Sequence, residues 1–377
     1  MKILLSDIYF RKSFDAINIL KLHYKQAQFI YTVSSVFWLN KIKLKTIYSS
    51  TNYFLLRNDS NFNSDLEIIS KEFSSEEIVY IPIEEDTTLN FLKFIKAKGE
   101  LNFNYLLPEI AEFELSRQKE CLNLFCEKHQ IACPRYISED VLKKKKFTYP
   151  IIKKPKTGSG SKGIIYIENE KDLKNATIDF DKDFIQERLP NPQEIEAGFY
   201  FCKKGELISF YSHKRIRTFP ETGGVTIYSK SDNSNEIKLL GAKVLDKLNW
   251  SGLVMIEFLY DKIDEKYKLI EINPRLWGSI LLSEFCGASF LKNYVEIASE
   301  NNLKVNNNIN IDVYIRWVFP YDILYWFKNI SNPLEFFRKK RDTCYINFSY
   351  SSYFSSFIFI FFTYFNFRKI INIFKNE

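Results

Sequence analysis

The chain is predicted to combine an open α/β layer with an α+β body of mostly antiparallel strands, followed by an aromatic, helical C-terminal extension. Three observations predict this. Over residues 1–108 short apolar runs alternate with stretches of helical spacing, the pattern of a small parallel sheet. From residue 149 to residue 273, strand-like runs follow one another with one long helical stretch between them. Beyond Ile311 the composition turns to crowded aromatic residues with basic flanks.

In the first part, Lys2–Ser6 reads as a strand, and Phe14, Ile17 and Leu20 place a helix over Ser13–Tyr24. Strands are expected at Phe29–Val33, Thr46–Tyr48 and Ile78–Ile83, and helices at Ser64–Phe73 and Thr87–Lys98. Glu109–His129 reads as one long helix, ended at Ile131–Pro134. In the body, strands are expected at Tyr149–Ile152, Ile164–Ile167, Phe184–Gln186, Ile195–Cys202, Glu206–His213, Leu253–Tyr260 and Tyr267–Ile272. The long helical stretch is Ile237–Leu248.

At 377 residues, with 46% hydrophobic and 26% charged residues, the chain has the balance of a folded globular protein. The net charge of +7 is spread along the chain, and no nucleic-acid-binding signature is present, so nucleic acid is not an expected partner. The basic run Lys143–Lys146 reads as a solvated loop. Six cysteines without a C-x-x-C pair, and a start that does not read as a secretory leader, lead us to expect a cytoplasmic protein. Cys121, Cys126, His129 and Cys133 match no standard zinc spacing.

Gly158-Ser159-Gly160-Ser161-Lys162-Gly163 matches G-x-G-x-x-G, but a β-branched run follows it instead of a helix. The loop therefore joins two strands, either as a plain glycine hairpin or as a flap over phosphates. No Walker A, H-R-D or D-F-G segment accompanies it. Lys154, on the strand entering the loop, is a fixed cation suited to phosphates, while Lys153 should face the other side of that strand. Lys119 is a second candidate cation. Gln186-Glu187-Arg188-Leu189 runs out of a strand and can offer backbone groups to a base, and Glu194 can accept from ribose hydroxyls.

The richest segment pairs Val254-Met255-Ile256-Glu257-Phe258 with Leu269-Ile270-Glu271-Ile272-Asn273-Pro274-Arg275. Glu271 and Asn273 are two apart on a strand and share a face, and Glu257 can sit opposite them across a turn. Two carboxylates and an amide oxygen form a hard-oxygen set suited to Mg²⁺, with Mn²⁺ as a substitute. Arg275 can hold a phosphoryl group or a carboxylate.

From about Leu106 to Phe290 this series resembles the ATP-grasp superfamily in order and spacing. It is most similar to carboxylate–amine ligases related to the carbamoyl-phosphate synthetase large subunit, in which E-I-N-P-R is followed by W-G-S, as here at Trp277-Gly278-Ser279. The resemblance implies a Rossmann-like pre-ATP-grasp domain at 1–108, a lid subdomain at 109–188, a metal-bearing subdomain at 189–305 and the extension at 306–377. It implies that Lys119 and Lys154 bind ATP phosphates under a flap formed by Gly158, Ser159, Gly160, Ser161 and Gly163. Gln186, Glu187, Arg188 and Leu189 would form the adenine hinge, with Glu194 on the ribose. Glu257, Glu271 and Asn273 would hold magnesium, and Arg275 would stabilise the transferring phosphoryl group. His213–Arg217, with Lys214 and Arg217 as further catalytic residues, and Thr222–Val225 would face the phosphates and acceptor. Ser116-Arg117-Gln118 departs from the acidic residue common before the lysine.

The implied reaction joins small-molecule carboxylate and amine substrates through an acyl phosphate. The alternatives are an ATP-grasp phosphotransferase and a non-catalytic ATP-binding protein. Residues 353–369 are strongly apolar but shorter than a bilayer span; they fit either a peripheral contact at the inner face of the membrane or packing on the body or on a second copy, as in a homodimer. A membrane contact would suit a lipid-carried precursor of a surface polysaccharide.

Overall fold

A computed structural model describes residues 1–8, 10–33, 53–56, 62–99, 101–158, 163–189, 195–219, 225–300, 305, 308–328 and 344–346. These form two compact units: Pro108–Pro274, and the described residues of Met1–Leu107 together with those of Arg275–Glu377.

The first part of the latter unit runs β1 (Lys2–Leu5), α1 (Arg11–His23), β2 (Gln28–Val33), β3 (Tyr53–Leu56), α2 (Phe62–Glu72), β4 (Ile78–Ile81), α3 (Glu85–Lys98) and β5 (Phe103–Asn104). The strands pair in parallel in the order β3-β2-β1-β4-β5. Every residue of β1 and β4 is buried, as a parallel sheet covered on both faces requires. Leu4, Ile30, Leu66, Ile78, Tyr80 and Phe91 build one core, with the Tyr80 and Phe91 rings stacked at 3.9 Å. Helix α3 carries Glu85 and Asp86 in its first turn and Lys96 and Lys98 in its last, matching the helix dipole, and ends at Gly99 with φ 81°. The strand expected at Thr46–Tyr48 lies outside the described residues.

Pro108–Pro274 opens with two helices where one was expected. Helix α4 (Ile110–Arg117) and helix α5 (Lys119–Lys128) are separated by Gln118, whose backbone is extended at φ −96°, ψ 109°. The amide of Lys119 donates to the carbonyl of Lys156 (3.0 Å) and so leaves the helical ladder. Helix α6 (Glu139–Lys143) follows, capped by the Ser138 hydroxyl. Then β6 (Ile151–Pro155), β7 (Ile165–Ile167), α7 (Glu170–Asn175) and β8 (Asp183–Glu187) build a three-stranded antiparallel sheet in the order β7-β6-β8. Ile137, Ile151, Ile167 and Ile185 form its core.

The larger sheet of this unit comprises β9 (Ile195–Lys203), β10 (Glu206–Phe219), β11 (Val225–Asp232), β12 (Gly252–Asp261) and β13 (Lys266–Asn273), in the order β13-β12-β9-β10-β11. All its pairings are antiparallel. The β9–β10 hairpin turns at Lys204-Gly205, both at positive φ, which suits a tight two-residue connection. Helix α8 (Asn235–Lys247) covers one face through Ile237, Val244 and Leu245.

After Pro274 the chain belongs to the first-described unit. Helices α9 (Ile280–Phe285) and α10 (Phe290–Ala298) pack on α1, and the Tyr294 hydroxyl donates to the carbonyl of Tyr80 (3.0 Å). Those contacts group residues 275–300 with the N-terminal layer and not with β12 and β13. Strands β14 (Tyr314–Arg316) and β15 (Cys344–Ile346) pair in parallel, with a π-helical turn at Val318–Asp322 and α11 (Ile323–Lys328) between them. Among the described residues no helix is long and apolar enough to cross a membrane, and residues 353–369 lie outside them.

Candidate active site

The β12–β13 hairpin places its carboxylates as the alternation predicts. Glu257 lies directly opposite Glu271, and Met255 opposite Asn273. The Asn273 side chain is buried and donates from Nδ2 to Glu271 Oε1 at 3.1 Å, which turns its amide oxygen the other way. Glu257 carries a partner that the spacing alone did not single out: the guanidinium of Arg215, on β10.

Register explains why Arg215 reaches Glu257 and Lys214 does not. On β9, Ala197 faces Glu257 on one side and His213 on the other, so these three side chains and Arg215, two beyond His213, share a face. Lys214 aligns with Glu196 on the opposite face, where its ammonium meets Asp232 at 2.8 Å. Arg217 lies between two shifts of register and stacks over Tyr228, 5.0 Å from the ring centroid. Lys214 is therefore turned away from the Glu257 face. His213 is fully buried, and burial, with Arg215 adding to it, pushes its pKa down to about 3, so the ring is neutral behind Arg215.

Lys154 comes to the same place from β6. Its side chain is buried, while Lys153 on the other face pairs with Asp183 at 3.0 Å. Burial pushes the Lys154 ammonium down to about 8; Glu271 and Glu257 pull it up, and Lys119 pushes it further down. Lys154 thus lies within electrostatic reach of Glu271, Lys119 and Glu257. Lys119 Nζ donates to the carbonyl of Gly158 at 2.8 Å, at the foot of the glycine loop. Gly158 (φ 107°) and Gly163 (φ 75°) bracket that loop in backbone conformations that L side chains rarely adopt. Ser159, Gly160 and Ser161 lie outside the described residues, as do Glu194 and residues 222–224.

At the strand-to-loop junction, Gln186 is buried and bridged to Tyr136, and the Glu187 amide donates to the carbonyl of Arg135 (3.0 Å). Glu187 Oε1 accepts from Lys268 at 3.2 Å. The Arg188 guanidinium lies over the Tyr166 ring at 4.4 Å and pairs with Glu168, and Leu189 is buried. Arg275 belongs to the other unit, where its Nε donates to Glu85 Oε1 at 3.1 Å and Lys12 is a neighbouring cation.

Arg215 lies within the segment His213–Arg217 expected at the phosphates, although Lys214 and Arg217 were the residues singled out there; nothing in the spacing pointed to Lys268.

Known proteins give this arrangement a context. Residues 118–279 match the model of the ATP-grasp domain. The rice (Oryza sativa subsp. japonica) acetyl-CoA carboxylase 1 is 22% identical over 169 residues, 42% of this chain but only 7% of that protein's length. D-alanine–D-alanine ligase B of Clostridium tetani is 29% identical over 166 residues, 37% of this chain and 46% of that protein. Among solved structures, the biotin carboxylase domain dimer of Hydrogenobacter thermophilus 2-oxoglutarate carboxylase superposes with a TM-score of 0.64 at 17% identity, covering 83% of this chain and 73% of that one. The chain thus has the ATP-grasp fold, with the match to the ATP-grasp domain model confined to residues 118–279.

Proposed function

We propose that the protein is an ATP-dependent ligase that joins a small-molecule carboxylate to an amine, with ADP and phosphate as co-products. The observation that carries this reading is the convergence of buried Lys154 with Glu271 and Glu257. The donor set fits Mg²⁺: two carboxylates opposed on a hairpin and an amide oxygen turned away from Glu271, all hard oxygen ligands. A magnesium ion held there by Glu257, Glu271 and Asn273 would supply charge neutralisation on the γ-phosphate.

In this reading Lys154 and Lys119 hold the phosphates, and the loop from Gly158 to Gly163 covers them. The junction from Gln186 to Leu189 receives the base. Arg215 faces the phosphates in place of Lys214. A carboxylate oxygen attacks the γ-phosphorus, and the bond to ADP breaks. The amine then attacks the acyl carbon, the C–N bond forms, phosphate leaves, and the amine's protons pass to solvent. Positioning and charge neutralisation do most of this work, which needs no side-chain nucleophile. A precursor of a surface polysaccharide as the carboxylate donor is supported only by the composition of residues 353–369.

The test is ADP release from Mg-ATP with hydroxylamine as surrogate amine, across a panel of amino acids and uronic acids. ADP together with a hydroxamate, dependent on one carboxylate, is the expected result. A stable phosphorylated product without hydroxamate would make the protein a phosphotransferase and overturn the ligase reading.

A further inference from the structure

Lys268 is a lysine that the reaction above does not use. It lies on β13, three residues before Glu271, and its side chain is only 9% exposed. Its ammonium meets Asp261 Oδ2 at 2.7 Å, Asp264 Oδ2 at 2.9 Å and Glu187 Oε1 at 3.2 Å. Asp261 and Asp264 belong to the same hairpin as Lys268. Glu187 does not: it is the last residue of β8, in the three-stranded sheet, and it opens the junction assigned to the base.

Two aspartates already neutralise one ammonium, so the contact to Glu187 is not needed for charge balance. Its consequence is geometric. Lys268 and Glu271 are separated by about 10 Å along one strand, at roughly 3.4 Å per residue. Backbone bonds reinforce the same link, since the Leu269 amide donates to Ala132 O (2.8 Å) and the Glu187 amide to Arg135 O (3.0 Å). The hairpin bearing the carboxylates is thus tied at one end to the junction that would take the base.

We propose that Lys268 is a positioning residue for nucleotide binding, holding Glu187 and the junction behind it in register with Glu257 and Glu271. The proposal rests on the Mg-ATP reading given above. Without the ammonium, Glu187 would face Asp261 and Asp264, and like charges would push the junction away from the hairpin. Without Glu187, Lys268 would keep its two aspartates and the hairpin would stay intact.

The test is Mg-ATP affinity by calorimetry, alongside melting temperature, for the wild type, Lys268→Met, Glu187→Gln, the double variant, Lys268→Arg and Asp261→Asn. Lys268→Met should weaken binding about tenfold, the scale of one lost hydrogen bond to a charged group. Glu187→Gln should weaken it similarly, the double variant no more than Lys268→Met, and Lys268→Arg should recover most of the loss. Asp261→Asn should lower the melting temperature yet keep affinity within about twofold, because the contact to Glu187 survives. Unchanged affinity in Lys268→Met, or an equal loss in Asp261→Asn, would overturn the positioning role and leave a structural clamp. If Lys268→Met does not fold, Glu187→Gln decides, since unchanged affinity there overturns the proposal equally. Absence of Mg-ATP binding by the wild type would overturn the nucleotide reading itself, which is a separate result.

Discussion

Replacing Lys154 with methionine should raise stability and abolish nucleotide binding. The ammonium is buried, and its pKa falls from 10.5 to about 8, chiefly through burial. A tenfold change in proton affinity is worth about 1.4 kcal/mol, so holding the charged form costs the folded state roughly 3 kcal/mol at pH 7. The folded pKa lies below the unfolded one, so between pH 8 and 10.5 the unfolded chain binds more protons. The cost is therefore fully present below pH 8 and fades as pH rises towards 10.5. Methionine keeps an apolar stem without the charge. At about 2–4 °C per kcal/mol for a folded body of this size, the variant should melt about 5 °C or more above wild type at pH 7. Near pH 10.5 the two should converge. Melting curves by circular dichroism at about pH 7 and about pH 10, with Mg-ATP calorimetry at the lower pH, check both halves. A variant melting at or below wild type at neutral pH, or a gap that does not shrink as pH rises, would refute the argument that a phosphate-binding cation is being held at a cost.

Three further outcomes are expected. Glu271→Gln should lower ADP release by at least about 100-fold with an unchanged melting temperature, since it removes charge from the metal set without altering shape; near-normal turnover would remove the metal assignment. Arg215→Met should impair turnover strongly while Lys214→Met, on the opposite face, should leave it within about twofold; steady-state kinetics on the pair would show the reverse if Lys214 were the residue at the phosphates. Ala197→Leu, at the buried position between Glu257 and His213, should cost about 1–3 kcal/mol of stability by overpacking, and it should reduce turnover as Arg215→Met does, read from chemical denaturation and ADP release together.

Much of the site was legible because strand alternation and short motifs report local geometry. Glu257 opposite Glu271, Lys154 facing away from Lys153, and glycines at both ends of the loop all follow from rules acting over a few residues. The break at Gln118 was not legible, because it comes from a bond between the Lys119 amide and Lys156, 37 positions away in sequence, in a stretch with no proline or glycine to announce it. Lys214 falls on the face opposite Arg215 by simple alternation, whereas the register shifts beside Arg217 leave no mark in composition. The grouping of residues 275–300 with the N-terminal layer depends on contacts such as that of Tyr294 with Tyr80, which no local pattern encodes.

The Arg215–Glu257 pair shows how one face of a sheet can make a site that no single motif contains. β10 and β12 are not neighbours; β9 lies between them, so the two backbones are about 10 Å apart at the usual strand spacing. An arginine and a glutamate can close that gap only by passing over whatever side chain β9 presents on the same face. At the position opposite Glu257 that side chain is Ala197, a single methyl group, flanked along the strand by Phe199. Phe199 in turn stacks on Tyr211 and meets the His213 ring edge-on, forming an apolar floor beside the charged pair. Burial of that floor keeps His213 neutral, so its ring adds no positive charge beside Arg215 at Glu257. The charge balance at the carboxylates is therefore set by three strands together: β12 supplies the acid, β10 the base, and β9 the gap through which they meet.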